Sequence, residues 1–237
     1  MWNGFETEEF EFCGRKAMII FPKGEPNGKL LLKTEYLDAF PNFEIEMLNR
    51  GYYSCFVSHP TRWAPDSEII IMADFVKHVA EKLNIEPKCI PVGMSCGGLQ
   101  AVRLAELFPE LISVLYIDAP VLNLISLAGL GAGKCSDTEG FWREMKKAHG
   151  FDESSIVNFR KSPIDKMEVL IENNIPIIML YGDADHVVLF EENGKVLKEY
   201  YEENGGTIEV ICKHGCEHHP HCLDDVTPIV EFVEKYI

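Results

Sequence analysis

Positive charge is what this 237-residue chain has least of: 22 Lys and Arg stand against 38 Asp and Glu, for a formal net charge of −16. A chain so acidic repels phosphate backbones, which excludes nucleic acid as an expected partner. It equally disfavours an anionic membrane surface. Long apolar runs are missing too, and none approaches the ~20 residues that a membrane-spanning helix needs. The N-terminus lacks a basic start and an apolar stretch, since Met1 to Phe12 holds four glutamates and no Lys or Arg. No secretory signal is expected there, and a cytoplasmic location is. The eight cysteines show no repeating spacing and the chain is too long to need disulfide staples, so they are read as mostly reduced. Internal repeats and low-complexity segments are absent. Collagen, coiled coil, disorder and a small disulfide scaffold are thereby excluded. What is present, 46% apolar and 25% charged residues, is ordinary for a globular protein of one domain spanning residues 1–237.

Short apolar runs alternate with helical patterns. Phe10–Phe12 and Ala17–Phe21 flank Cys13-Gly14 and read as a hairpin, followed by a Pro/Gly loop over Pro22–Lys29. Apolar spacing predicts helices over Glu35–Arg50 and Ser67–Leu83, the second with Asp66 as N-cap, and strands at Tyr53–Val57, Cys89–Val92 and Val114–Ile117. A helix over Cys96–Phe108 ends at Pro109. The rhythm breaks from about 121 to 170, a Gly-rich and then polar stretch read as a small helical cap inserted into the fold. It resumes with Ile177–Leu180 (strand), Val188–Tyr201 (helix), Thr207–Cys212 (strand) and Thr227–Tyr236 (helix). A hairpin followed by strand–helix alternation predicts an α/β protein with a mostly parallel sheet and helices on both faces.

Three motifs carry chemistry. Gly93-Met94-Ser95-Cys96-Gly97-Gly98 fits G-x-S-x-G between a predicted strand and a predicted helix. A serine on so tight a turn presents an exposed hydroxyl in front of a helix N-terminus, whose free N–H groups suit a developing oxyanion. The N–H of Cys96 is the expected first donor. The alternative, the glycine turn of a nucleotide-binding fold, is weakened because Ser95 sits where the second Gly of G-x-G-x-x-G belongs. The second motif, Tyr181 to Val188, follows a later strand and holds Asp183 and Asp185. A serine–histidine pair needs such a carboxylate to orient the imidazole. Asp185, nearer the next helix, is preferred, and Asp183 is given the role of holding the turn. Asp118 is the fallback acid.

The third motif packs seven Cys and His residues into the eleven positions Cys212 to Cys222, after the last predicted strand. Triad order Ser, acid, His predicts the base here, with His218 first and His219 second. Zinc held by Cys212, Cys216 and Cys222 with a His is the rival reading. A second pair of ligands elsewhere is lacking, so no metal and no cofactor is expected, and Cys212 is assigned to strand packing. Lys23, with Gly24 beside it, is the expected second oxyanion donor, on the loop after the strand ending at Phe21. Arg62 and Trp63, after another strand, are candidates to contact a polar or sugar-like substrate.

These residues resemble the α/β-hydrolase superfamily, over nearly the whole chain. They are closest to a bacterial group of small α/β-hydrolases described loosely as esterases or as prolyl-oligopeptidase-like. The likeness rests on Lys33-Thr34-Glu35-Tyr36, Gly93 to Leu99, Tyr116-Ile117-Asp118-Ala119-Pro120 and His218-His219-Pro220-His221. Many relatives carry Arg where this chain has Cys96 and Gly where it has Glu217, and the usual His-Gly oxyanion motif is absent around Pro22. The resemblance implies Ser95 as nucleophile, Asp185 as acid and His218 as base. The expected function is a metal-free serine hydrolase cleaving the carboxylic ester of a small polar molecule, with an acylated carbohydrate suggested by Arg62 and Trp63. The alternatives are a peptidase of prolyl-oligopeptidase type, whose relatives carry a propeller for which 237 residues leave no room, and a non-catalytic binding protein of the same fold. Homo-oligomerisation is left open.

Overall fold

A computed structural model describes residues 1–133, 135–152 and 154–237 of the chain. Lys134 and Glu153, both within the stretch expected to form the cap, lie outside the described residues. In chain order the elements are β1 (Thr7–Phe12), β2 (Arg15–Ile20), β3 (Leu30–Lys33), α1 (Asn42–Asn49), β4 (Tyr53–Val57), α2 (Asp66–Leu83), β5 (Ile90–Met94), α3 (Cys96–Leu107) and β6 (Leu115–Asp118). They continue with α4 (Thr138–His149), α5 (Glu168–Glu172), β7 (Ile177–Gly182), α6 (Gly194–Glu203), β8 (Ile208–Lys213) and α7 (Thr227–Lys235). The strands form one sheet in the order β1-β2-β4-β3-β5-β6-β7-β8. The hairpin strands run antiparallel and the other six are mutually parallel.

Strand direction has a consequence for the site. In the parallel set Met94 pairs with Asp118, Asp118 with Leu180, and Gly182 with Lys213, so the loops after β5, β6, β7 and β8 all open on one edge. Ligand and catalytic sites of open parallel sheets lie at that edge. β2 runs the other way, its last residue Ile20 pairing with Ser54 near the start of β4. The loop after β2 therefore leaves from the opposite edge.

Three elements differ from the sequence pattern. β3 is an unforeseen central strand, Leu-Leu-Leu-Lys, buried throughout. It lies between β4 and β5 and so shows no polar alternation. The helix expected over 35–50 is α1 alone, since Tyr36 and Phe40 adopt positive φ (54° and 49°) and Pro41 stands just before the helix. The helix expected from Val188 begins at Gly194, because the Asp185 carboxylate takes the N–H groups of Val187 and Val188. Asp66 is the first residue of α2 rather than its cap and pairs with Arg103 and Lys161.

Two apolar layers hold the sheet. Leu30 and Leu32 of β3, Ile177 and Met179 of β7, and the buried faces of α2 and α3 form one. Leu31, Ile178 and Leu180 meet Phe43 and Met47 of α1 and Ile229 and Val233 of α7 in the other. The alternation is the two-residue period of a strand with a core on each face. Between β6 and β7 the chain forms α4, α5 and short helical turns, with Met145 and Leu127 joining the first layer.

The packing behind Ser95 leaves no room for added side chains. A Cβ on Gly93 would stand 2.4 Å from Gly97 O, and one on Gly98 would stand 2.5 Å from Pro120 Cβ. Gly98→Ala should therefore cost ~1–3 kcal/mol by overpacking. Thermal unfolding checks this: the midpoint should fall by roughly 2–4 °C for each kcal/mol in a chain of this size. An unchanged midpoint would show that the helix and the Pro120 loop are not in contact there.

Candidate active site

Ser95 joins β5 to α3 with φ 55° and ψ −118°, a conformation costly for a residue with a Cβ. Backbone bonds impose it. Ser95 N–H donates to Asp118 O (2.9 Å), and Ser95 O accepts from Gly98 N–H (2.9 Å) and Val121 N–H (3.0 Å). Cys96 opens α3, where the first N–H groups have no intrahelical partner. Its side chain is buried, and burial pushes the thiol up to about 12, so the sulfur next to Ser95 is a neutral thiol.

The loops after β7 and β8 bring the other two groups. His218 Nδ1 lies 2.7 Å from Asp185 Oδ2, and His218 Nε2 lies 3.0 Å from Ser95 Oγ. Burial pushes the Asp185 carboxyl up. The His218 hydrogen bond and the N–H groups of Val187 (2.7 Å) and Val188 (2.9 Å) outweigh it and hold the carboxyl below its ordinary value. An ionised Asp185 accepts the Nδ1 proton, which leaves Nε2 to accept from the Ser95 hydroxyl. Asp183 takes no part in this chain. It receives Gly215 N–H (2.6 Å) and sits 2.9 Å from His214 Nδ1. His219 stacks on Phe40 with ring centroids 5.9 Å apart, and the Ser95 hydroxyl is paired with His218 instead.

Ser95, Cys96 and His218 line a cavity of about 380 Å³, with Tyr36, Phe40 and Phe141 among the walls. Arg62 and Trp63 line it too, but both are committed. Glu144 of α4 accepts from Arg62 Nε (2.9 Å) and Nη2 (3.1 Å) and from Trp63 Nε1–H (2.8 Å), and Trp63 is buried. The cation is thus neutralised where it faces the cavity.

Lys23 does not reach the site. It belongs to the loop at the opposite sheet edge, and its Nζ lies 4.6 Å from the Phe5 ring centroid. The loop that borders Ser95 follows β3 instead. Thr34 Oγ1 of that loop lies 2.7 Å from Gly97 O, tying it to the elbow, and Tyr36 forms part of the cavity wall. Sequence reasoning missed this loop because it missed β3. The Leu30-Leu31-Leu32 run before Lys33 was the available signal.

A second buried carboxylate holds the histidine loop in place. Asp118 at the end of β6 takes Lys213 Nζ on both oxygens (2.9 Å each) and Cys222 N–H (2.6 Å). Lys213 also donates to Pro220 O (3.0 Å), and His221 Nδ1 stands 3.4 Å from Asp118. Burial pushes the Asp118 carboxyl up, but His221 and Lys213 more than reverse this and leave it below its ordinary value. Asp118 is therefore engaged in positioning, not in orienting His218. The cysteines proposed for zinc do not converge. Cys222 is buried, and Cys216 Sγ lies 3.6 Å from His219 O. Among the described residues two other groups have metal-binding atoms within reach of one another: His218, His219 and His221, and Asp183, Cys212 and His214. All eight cysteines are free. No helix among the described residues is long and apolar enough to cross a membrane.

No protein-family model and no curated protein matches the sequence. Solved structures do. An acylaminoacyl peptidase of Pyrococcus horikoshii superposes with a TM-score of 0.72 at 14% identity, over 98% of this chain and 42% of that one. A puromycin hydrolase gives 0.73 at 16%, over 97% and 38%. Porphyromonas gingivalis dipeptidyl peptidase 4 gives 0.69 at 13%, over 100% and 36%. The chain has the α/β-hydrolase fold. That fold places Ser95 after β5, Asp185 after β7 and His218 after β8, and the resemblance read from the sequence holds at this level. The chain spans about two fifths of the length of these α/β-hydrolase neighbours.

The acid limb of stability follows from the same groups. Burial, the largest effect on each, holds His59, His149, His219 and His221 below their ordinary values, so the unfolded chain binds more protons below about pH 6.5. Asp118 and Asp185 are also depressed, so their contribution is present above about pH 4 and is lost as pH falls through the folded-state values. Unfolding free energy should thus decline from about pH 6.5 and steepen below about pH 4. Asp118→Asn should lower stability at neutral pH by ~2–4 kcal/mol, because it leaves the largely covered Lys213 ammonium without a counter-charge. It should also shed part of the slope below pH 4. Urea titrations across pH check both, and an unchanged Asp118→Asn profile would contradict the network.

Proposed function

We propose that this chain is a serine hydrolase working through an acyl-enzyme on Ser95. The single observation that carries the reading is the hydrogen-bonded run Ser95 Oγ–His218 Nε2 (3.0 Å) and His218 Nδ1–Asp185 Oδ2 (2.7 Å), set at a helix N-terminus. His218 takes the Ser95 proton as Oγ attacks the acyl carbon, and Asp185 stabilises the imidazolium. Cys96 N–H and a donor from the loop after β3 hold the oxyanion. His218 then protonates the leaving group, and water repeats the cycle on the acyl-enzyme.

The substrate is a small molecule, taken into a cavity of about 380 Å³ rather than a long open groove. The structural neighbours named as acylaminoacyl peptidase, puromycin hydrolase and dipeptidyl peptidase favour an aminoacyl or peptidyl amide over a simple ester. A second cleft of about 700 Å³ shares Tyr36, Arg62 and Trp63 with the cavity; its Glu144 and Glu68 are paired with Arg62 and Arg15, so its charge favours neither an amine nor an anion. The acylated-carbohydrate reading loses its basis, since Trp63 is buried and Arg62 is ion-paired. Carboxylic ester hydrolysis is kept as the second reading, because the same triad opens both bonds.

A fluorophosphonate probe should label the protein on Ser95, and Ser95→Ala should abolish labelling and lower kcat/KM by at least ~10³-fold. An aminoacyl nitroanilide and the matching nitrophenyl ester, assayed side by side, separate the two readings. Turnover of both supports the peptidase reading, and turnover of the ester alone supports the esterase. Full activity in Ser95→Ala would overturn both.

A further inference from the structure

Outside the Ser95 cavity, at the ends of the last strand pair, three side chains with different metal-binding atoms converge. β7 and β8 are parallel neighbours with Gly182 opposite Lys213, which puts Asp183 and His214 on adjacent rungs just past the strand ends. Cys212 is two residues before His214 and shares its side of the strand. His214 Nδ1 lies 3.5 Å from Cys212 Sγ and 2.9 Å from Asp183 Oδ2, and the three donor atoms all fall within 4.8 Å of one another. Asp183 Oδ1 is already engaged by Gly215 N–H at 2.6 Å, which orients the carboxylate and leaves Oδ2 toward the cluster. None of the three has a part in the proposed hydrolysis.

We propose that Asp183, Cys212 and His214 form a site for one divalent cation of the zinc class, which ties the loop carrying Asp185 to the loop carrying His218. The donor set selects the ion. A thiolate and an imidazole suit Zn²⁺, whereas Ca²⁺ and Mg²⁺ want oxygen alone. Bonds of about 2.0–2.3 Å place the donors of a tetrahedron roughly 3.3–3.8 Å apart. The 3.5 Å Cys212–His214 spacing meets this already, and the 2.9 Å His214–Asp183 spacing has to open by a few tenths of an ångström. The His214 side chain is 85% exposed, so the ion has a path in and water can complete its coordination. On binding, Cys212 releases its thiol proton to solvent, and the Nδ1 proton that His214 shares with Asp183 moves to the exposed Nε2. The site differs from the histidines around Ser95, where both ring nitrogens of His218 are taken.

Titration of the full chain with Co²⁺ tests this without reference to hydrolysis. A thiolate-to-cobalt charge-transfer band should grow and saturate at one equivalent, and Zn²⁺ should bleach it. Cys212→Ser should abolish the band, and His214→Ala should weaken binding by at least ~100-fold. Both variants should melt like the parent when metal is withheld, since neither side chain supports the core. Zn²⁺ at a hundred times its Kd should raise the parent's midpoint by roughly 5–10 °C and leave that of Cys212→Ser unmoved. The absence of a saturable band, or a band that survives Cys212→Ser, would overturn the proposal.

Discussion

Ser95 holds a backbone conformation that a serine would not adopt on its own, and the surrounding structure is arranged to keep it there. The N–H of Ser95 is taken by Asp118 O and its carbonyl by Gly98 and Val121, so the elbow is fastened to the end of β6 and to the chain that leaves it. Gly93 and Gly98 carry no side chain because β5, α3 and Pro120 leave no space for one. Thr34 braces the same turn from the β3 side. A strained turn persists only where its neighbours over-determine it, and here three strands do so.

The histidine loop is held with comparable economy by charge. Asp118 receives Lys213, the Cys222 N–H and the edge of His221 in a buried cluster, while Lys213 reaches on to Pro220 O. Asp185 is fixed independently by two N–H groups of its own loop. His218 is therefore positioned from both sides, by a carboxylate that faces it and by a carboxylate that anchors its loop. The net charge of −16 fits this arrangement. Among the described residues Lys33, Arg62 and Lys213 are each bound to a carboxylate.

How much of this was legible in the sequence depended on how local each feature is. The elbow at Ser95 is a run of adjacent residues between a strand and a helix, and its glycines announce the close approach. Asp185 and His218 follow predicted strands whose direction is set by helical crossovers, so their edge of the sheet could be inferred. Lys23 shows where that inference fails. Its loop also follows a strand, but β2 is reversed by the Cys13-Gly14 turn, and reversal moves the loop to the far edge. β3 was hidden because four residues buried on both faces carry no alternation. The helix expected from Glu35 was an apolar pattern that belongs in part to the cavity wall, where Tyr36 and Phe40 need left-handed backbone. The pairing of Arg62 and Trp63 with Glu144 joins positions far apart in the chain, which no spacing rule reports.

Trapping the covalent intermediate tests the central claim most directly. An activated aminoacyl ester mixed with the protein and quenched in acid within the first turnover should leave one acyl group, and peptide mapping by mass spectrometry should place it on Ser95. The Asp185→Asn protein should accumulate it more slowly by a factor of up to ~10⁴, with the elbow intact. An acyl group found on Cys96 or on a histidine, or turnover with no covalent species at all, would contradict the account.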